Sequence, residues 1–154
     1  MRSAVYKGDF LDLKVHVHVE AEMTLETPSE APSPQTRLDL LAAGSFDVVV
    51  FSLLLSYIPS PERRAEAVWK ARRLLRVGGL LLVVTPHSTI RKSNSSHHPI
   101  LREWREAFGQ MALTFVKTEK LKVSRQIALA YKAVDLVPGQ PKLLPVRIAF
   151  DLRH

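Results

Sequence analysis

The chain has 154 residues, 46% hydrophobic and 24% charged, enough to bury one core and too apolar for global disorder. It contains no cysteine, which excludes disulfides, a thiol nucleophile and cysteine-ligated metals, and no apolar run approaches the roughly 20 residues of a membrane span. The formal net charge of +7 raises the expectation of an anionic partner, but it is unevenly placed. Residues 1–60 hold 4 Lys/Arg and 8 Asp/Glu (net −4), and residues 61–154 hold 18 and 7 (net +11). A solvated surface explains the basic part as readily as an RNA or acidic-protein docking face. The amino end lacks the apolar stretch of a secretory signal, and the expected setting is a soluble protein of a reducing compartment.

In chain order, Ala4–Tyr6 is a short β-favouring run closed by Lys7-Gly8-Asp9. Residues Leu11 to Val19 alternate apolar and polar and predict a half-buried strand. Glu20 to Thr36, with Pro28, Pro32 and Pro34 and few large apolar residues, reads as the heart of a flexible insertion spanning 20–44. Leu38 to Ala43 is compatible with one short helix before Gly44.

Phe46 to Ser52, rich in valine, predicts a strand buried on both faces of a parallel sheet, followed by a loop or single apolar turn through Pro59. Ser60, Pro61 and Glu62 are the start signals of a helix. Ala65, Val68, Ala71 and Leu75 give its apolar face over 62–76, with Arg72, Arg73 and Arg76 near the negative end of the dipole and Gly78-Gly79 as the stop. Leu80 to Thr85 predicts a second buried strand, so the segment reads as a parallel, right-handed βαβ unit.

Residues 87–99 read as a loop, and Ile100 to Gly109 as a helix with Gly109 as its stop. Runs around Leu113–Leu121 and Val123–Val134 predict an antiparallel strand pair. Residues 135–154 carry Pro138, Pro141 and Pro145 and receive no assignment beyond one extended run, Val146 to Phe150.

In an open α/β sheet, ligands bind at the carboxyl ends of the strands. Asp9-Phe10, Ser52 and Thr85-Pro86-His87 fall at such ends. There a carboxylate can accept from an exocyclic amine such as adenine N6, the next backbone N–H can donate to the ring nitrogen, and an apolar side chain can wall the base. Gly-Asp-Phe is equally ordinary turn chemistry, and spacing alone does not separate the two. His16 with His18, and His97 with His98, lack a third ligand and read as surface or packing residues. Trp69 and Trp104, on predicted helices, read as core or groove aromatics.

Three runs carry a resemblance: Tyr6 to Leu13, Phe46 to Pro61 with its Ser-Leu-Leu-Leu-Ser-Tyr-Ile-Pro-Ser-Pro stretch, and Leu74 to Ser88. Together they resemble the later half of a Rossmann-like class I S-adenosylmethionine-dependent methyltransferase domain. More narrowly they resemble the Samtor family, S-adenosylmethionine sensors upstream of the TOR complex, related to a fungal methyltransferase of adenine N(1) in large-subunit rRNA. The likeness covers about residues 4–134, diverges over 20–44 and leaves out 135–154.

The resemblance implies an α/β fold of parallel strands with crossover helices and then an antiparallel pair. It implies S-adenosylmethionine as cofactor, with Asp9 and Phe10 at its adenine end and Ser52 beside it. It implies a cytoplasmic, lysosome-associated sensor that restrains TOR signalling through the GATOR and KICSTOR complexes when the ligand is scarce. The amine-targeting Asn/Asp-Pro-Pro-aromatic box is absent, Ser52 to Tyr57 standing in its place, and no base for a methyl acceptor follows. The family's Gly-rich turn and ribose-binding acidic residue are also absent, so the sequence looks truncated at its amino end, and weak binding of S-adenosylmethionine by the chain alone is the expectation. A methyltransferase acting on RNA, favoured by the basic remainder, and an inactive remnant stay open beside the sensor.

Overall fold

A computed structural model describes residues 8–16, 40–90, 99–121, 124–136, 139, 141 and 143–151. Its elements are β1 (Lys14–His16), β2 (Leu40–Ala42), β3 (Phe46–Ser52), α1 (Leu54–Tyr57), α2 (Pro61–Leu74), β4 (Leu75–Pro86), α3 (His87–Ile90), α4 (Pro99–Gln110), β5 (Leu113–Lys120) and β6 (Gln126–Ala133). A four-stranded sheet runs in the order β3-β4-β6-β5, and β1 and β2 form a separate parallel pair.

The βαβ unit is present, with β3 and β4 parallel across α2. Ser60 caps α2 by accepting from Arg63 N at 3.3 Å, Pro61 opens the helix where its missing N–H costs nothing, and Glu62 lies in the first turn. The helix ends at Leu74, short of the expected 76, because Leu75 already pairs with Phe46. Arg76 is therefore a strand residue, ion-paired with Asp47. Gly78-Gly79 is not the helix stop but an irregularity inside the ladder, between the pairs Phe46–Leu75 and Val48–Leu80. Gly78 has φ 84°, and a Cβ on Gly79 would stand 3.0 Å from the carbonyl oxygens of Arg76 and Asp47.

Leu38–Ala43, compatible with a helix from sequence, contains β2 instead. A stretch this short gains little from helical nucleation, and its backbone finds partners in β1 through Val15–Leu41. Of the alternating run 11–19, Lys14–His16 is strand and Leu11–Asp12 is turn. Ala4–Tyr6, residues 17–39 and His97-His98 lie outside the described residues. The expected loop after Pro86 begins with the short helix α3. Helix α4 passes through Gly109 to Gln110, and the turn to β5 is made by Ala112 at φ 56°.

The antiparallel pair is β5 and β6, with β6 inserted between β5 and β4. Only one face of the sheet is deeply buried. Leu81 and Val83 of β4, Leu129 and Tyr131 of β6 and Leu113 of β5 point into the core beneath α2 and α4. Val48 and Val50 point to the other side and remain exposed, so β3 is not buried on both faces as its composition suggests. Full burial of each such aliphatic side chain contributes about 1.5–3 kcal/mol. On α4, Trp104 stacks on Phe108 at 5.8 Å, and Phe108 meets Tyr131 at 4.6 Å.

Residues 143–151 pack on this core without regular structure. Val146 N donates to Pro61 O at 3.1 Å, and Trp104 Nε1 donates to Arg147 O at 2.6 Å. The anchor is Arg64, buried on α2, which donates to the carbonyls of Ile58, Pro59 and Val146 and pairs with Asp151 at 2.5 Å. Arg72, also buried, donates to the carbonyls of Ala112, Leu75 and Val134, tying the end of α2 to the β5–β6 end of the sheet. Burial lowers the proton affinity of Arg72, opposed by Asp135.

Asp151→Ala leaves the Arg64 guanidinium buried with only carbonyl partners. A loss of about 3 kcal/mol is expected, read as a Tm fall on the order of 6–12 °C. Burial raises the pKa of Tyr131, whose hydroxyl has no hydrogen-bond partner among the described residues. Tyr131→Phe should therefore leave the Tm unchanged or raise it, since no hydrogen bond is lost.

Candidate functional site

The carboxyl ends of β3 and β4 are shaped by a backbone feature the composition does not announce. Leu53, just after Ser52, has φ 61°, a left-handed conformation unusual for leucine. Its N–H donates to Val84 O at 2.8 Å, and Ser56 N returns to Leu53 O at 3.0 Å. The chain thus leaves the sheet abruptly into α1. This sets Ser56 Oγ 3.1 Å from Thr85 Oγ1 and 3.5 Å from Thr89 Oγ1, a partly buried hydroxyl cluster at the tip of β4. Thr85 was legible as a strand-end residue. Ser56 and Thr89 were not, because only the turn at Leu53 brings them to it.

Asp9 and Phe10 reach the end of β3 from a separate segment. Asp9 Oδ1 accepts from Leu11 N at 2.8 Å and Asp9 O accepts from Leu13 N at 3.0 Å, closing a compact turn. The Phe10 ring meets Phe51 edge-on at 5.3 Å, on the side of β3 that α2 covers. Ser52, the next residue along, is exposed and points to the opposite side. Phe10 and Ser52 therefore share one strand end but flank it on two faces.

Lys70 of α2 fixes the turn. Its ammonium donates to Phe10 O at 3.0 Å and Leu11 O at 2.5 Å, and lies 5.7 Å from the Phe10 ring centroid. Desolvation lowers its pKa, opposed by Asp12, Asp9 and Glu66. Leu11, Asp12, Glu66 and Lys70 belong to the lining of a cleft of about 150 Å³ beside the turn. Sequence spacing marks Lys70 only as a helix-surface cation, so its role was not legible.

An acceptor carboxylate beside an apolar ring is chemically compatible with an adenine group. Asp9 is exposed and offers carboxylate acceptor capacity beyond Oδ1, and Phe10 supplies an apolar ring. The sequence has no G-x-G-x-x-G turn to approach the rest of such a ligand. A larger cavity of about 470 Å³ opens between α1 and the 143–151 segment, with Ser56, Tyr57, Thr89, Ile148 and Phe150 in its walls. Its arginine, Arg64, is committed to Asp151 and to carbonyls. Among the described residues no group of three or more His, Asp or Glu could hold a metal ion, and no helix is long and apolar enough to cross a membrane. Trp104 is a core residue and Trp69 packs half-buried against the same core.

The family model for 25S rRNA (adenine(2142)-N(1))-methyltransferase, Bmt2, matches residues 34–133. A Danio rerio protein named S-adenosylmethionine sensor upstream of mTORC1 is 38% identical over 137 residues, covering 86% of this chain and 32% of the relative. Its Xenopus laevis namesake is 35% identical over 134 residues, again covering 86% of this chain and 32% of the relative. The chain thus spans about a third of the length of these curated relatives. Among solved structures, a Methanosarcina mazei S-adenosylmethionine-dependent methyltransferase aligns with TM-score 0.45 and 13% identity over 67% of this chain and 74% of that one. A variant 16S rRNA (adenine(1408)-N(1))-methyltransferase from Catenulisporales acidiphilia aligns with TM-score 0.46 and 13% identity, over 73% of this chain and 65% of that one.

Lys70→Ala should release the Asp9–Phe10 turn. The loss of two charge-assisted bonds at a half-exposed site is about 1.4 kcal/mol. Amide exchange at Leu13, whose N–H bonds Asp9 O, should accelerate about tenfold while exchange in β4 is unchanged.

Proposed function

The chain belongs to the Bmt2 family, whose fold is that of class I S-adenosylmethionine-dependent methyltransferases, and we propose that it serves in nutrient sensing rather than in methyl transfer. In this reading it contributes the adenine end of an S-adenosylmethionine site, and occupancy of that site governs its hold on the GATOR and KICSTOR complexes upstream of the TOR kinase complex. The observation that carries the proposal is the Lys70-fastened Asp9–Phe10 turn at the end of β3, in a chain whose relatives at 35–38% identity are named S-adenosylmethionine sensors. Asp9 accepts from the adenine amino group and Phe10 walls the ring, while Ser52, on the other face of β3, meets the ligand only where it passes the strand tip. The structure around Ser52–Tyr57 favours sensing over catalysis. The Ser56 hydroxyl there is engaged with Thr85 and Thr89, and the run holds no carboxylate to serve as base for a methyl acceptor.

Holding one end of a ligand yields little affinity, because the full entropic cost of association is set against few contacts. Calorimetry of the purified chain is expected to show binding of S-adenosylmethionine weaker than micromolar, and micromolar affinity would contradict it. The sensing reading is tested by pull-down of GATOR and KICSTOR subunits with the tagged chain. Capture should fall on adding S-adenosylmethionine, and Asp9→Ala should abolish that response. Capture indifferent to the ligand, or no capture, sinks the reading.

A second reading, methylation of RNA, is favoured by Lys117, Lys120 and Arg125, which are exposed on and beside the β5–β6 pair. Transfer of tritium from labelled S-adenosylmethionine to ribosomal RNA would establish it in place of sensing alone. RNA binding by that face would weaken steeply with salt.

A further inference from the structure

The serine that caps α2 stands in a sequence context that capping does not require. Ser/Thr-Pro pairs occur at Thr27, Ser33, Ser60 and Thr85, and of these Ser60 alone has a cation at the third position after it, Arg63. Proline next to the acceptor and a cation two residues further are what a proline-directed protein kinase reads. Its groove holds a residue with no N–H to satisfy, and an acidic subsite takes the cation. Thr85 is fully buried, whereas Pro59, Glu62 and Arg63 around Ser60 are exposed.

The backbone suits such an enzyme. Ile58 (φ −79°, ψ 118°) and Ser60 (φ −94°, ψ 132°) are extended, the conformation in which a kinase groove receives the chain up to its acceptor. Pro61 to Arg63 form the first turn of α2, whose N–H groups bond no preceding helical carbonyl, so this turn frays before the rest of the helix. The surroundings suit the product as well. The Ser60 hydroxyl donates to Glu62 Oε2 at 2.6 Å and holds Glu62 below the ordinary carboxylate range, with the charge of Arg147 as a smaller cause. Arg147 thus acts at the start of α2 although it belongs to the 143–151 segment. Its ion pair with Glu103 is long, 3.8 Å, and half-exposed, so exchanging that partner costs little.

We propose that Ser60 is a phosphorylation site for a proline-directed kinase, and that its phosphoryl group clasps the 143–151 segment through Arg147. Ser60 Oγ attacks the γ-phosphorus of ATP, the new O–P bond forms as the bond to ADP breaks, and the hydroxyl proton passes to the kinase's catalytic base. The phosphoryl group takes over the cap, accepting from Arg63 N, and meets the guanidinium groups of Arg63 and Arg147. Glu62, exposed and deprived of its donor, turns to solvent. Tyr57, Ile58 and Pro59 wall one side of the 470 Å³ cavity and Ile148 to Asp151 the other, so the clasp holds the two walls together.

The folded full chain is incubated with a cyclin-dependent kinase, Mg²⁺ and ATP, and the products are mapped by tandem mass spectrometry. One phosphoryl group is expected on Ser60, and Arg63→Ala, at an exposed position, should slow that transfer about tenfold with circular dichroism unchanged. In the phosphorylated chain, amide exchange at Val146 and Ile148 should slow about tenfold, and in phosphorylated Arg147→Ala it should not. Absence of label on Ser60 in the folded chain overturns the site, whether or not a free peptide of residues 54–66 is labelled. Exchange that is unchanged or faster on phosphorylation, or that slows equally in Arg147→Ala, overturns the clasp.

Discussion

The double pairing of β4 is the constraint on which the rest of the molecule depends. Its twelve residues bind β3 in parallel on one side and β6 antiparallel on the other. Alternation then drives Leu81, Val83 and Thr85 to one face, where they are fully buried. Parallel pairing with β3 requires a crossover, and α2 supplies it on that same face. Once α2 is docked, its polar side chains have fixed places. Arg64 receives the 143–151 segment, Arg72 clasps the end of β6, and Lys70 projects to the Asp9–Phe10 turn. The candidate ligand site is thus a consequence of helix placement as much as of the residues that would touch a ligand.

Signals that arise from local chemistry were readable in the sequence. Ser60-Pro61-Glu62 fixes the start of α2 through its cap, and Trp104, Ala107 and Phe108 mark the buried face of α4 by spacing alone. The strand segments β3, β5 and β6 follow from runs of apolar residues. What failed to show was decided by tertiary partners. Gly78-Gly79 has every mark of a helix stop, yet pairing of Leu75 with Phe46 ends α2 first and turns the glycines into an accommodation between Asp47 and Arg76. Leu40–Ala42 became strand because β1 offered it hydrogen bonds. The valines of β3 suggested burial on two faces, but composition records what a strand tolerates rather than what covers it.

The site divides in the same way. Asp9, Phe10 and Ser52 could be placed at strand ends from sequence, and the structure gathers Phe10 and Ser52 at the end of one strand, on its opposite faces. The Lys70 clamp and the Ser56–Thr85–Thr89 hydroxyl cluster were not readable, since each joins residues far apart in the chain. Charge also gains a more specific meaning. The basic part of the chain contains Arg64 and Arg72, both buried and spent on holding the fold together, beside the exposed lysines of β5. Net positive charge is therefore in part structural, and only its exposed remainder can serve RNA or an acidic partner.

The central claim, that the Asp9–Phe10 turn receives the adenine end of S-adenosylmethionine, is tested most directly by titrating the ¹⁵N-labelled chain with that ligand and following backbone amide resonances. The method reads weak binding as well as tight. Saturable shifts are expected at Phe10, Leu11 and Ser52, with the core of β6 unmoved. Saturable shifts confined to other parts of the chain, or none at millimolar ligand, would contradict it.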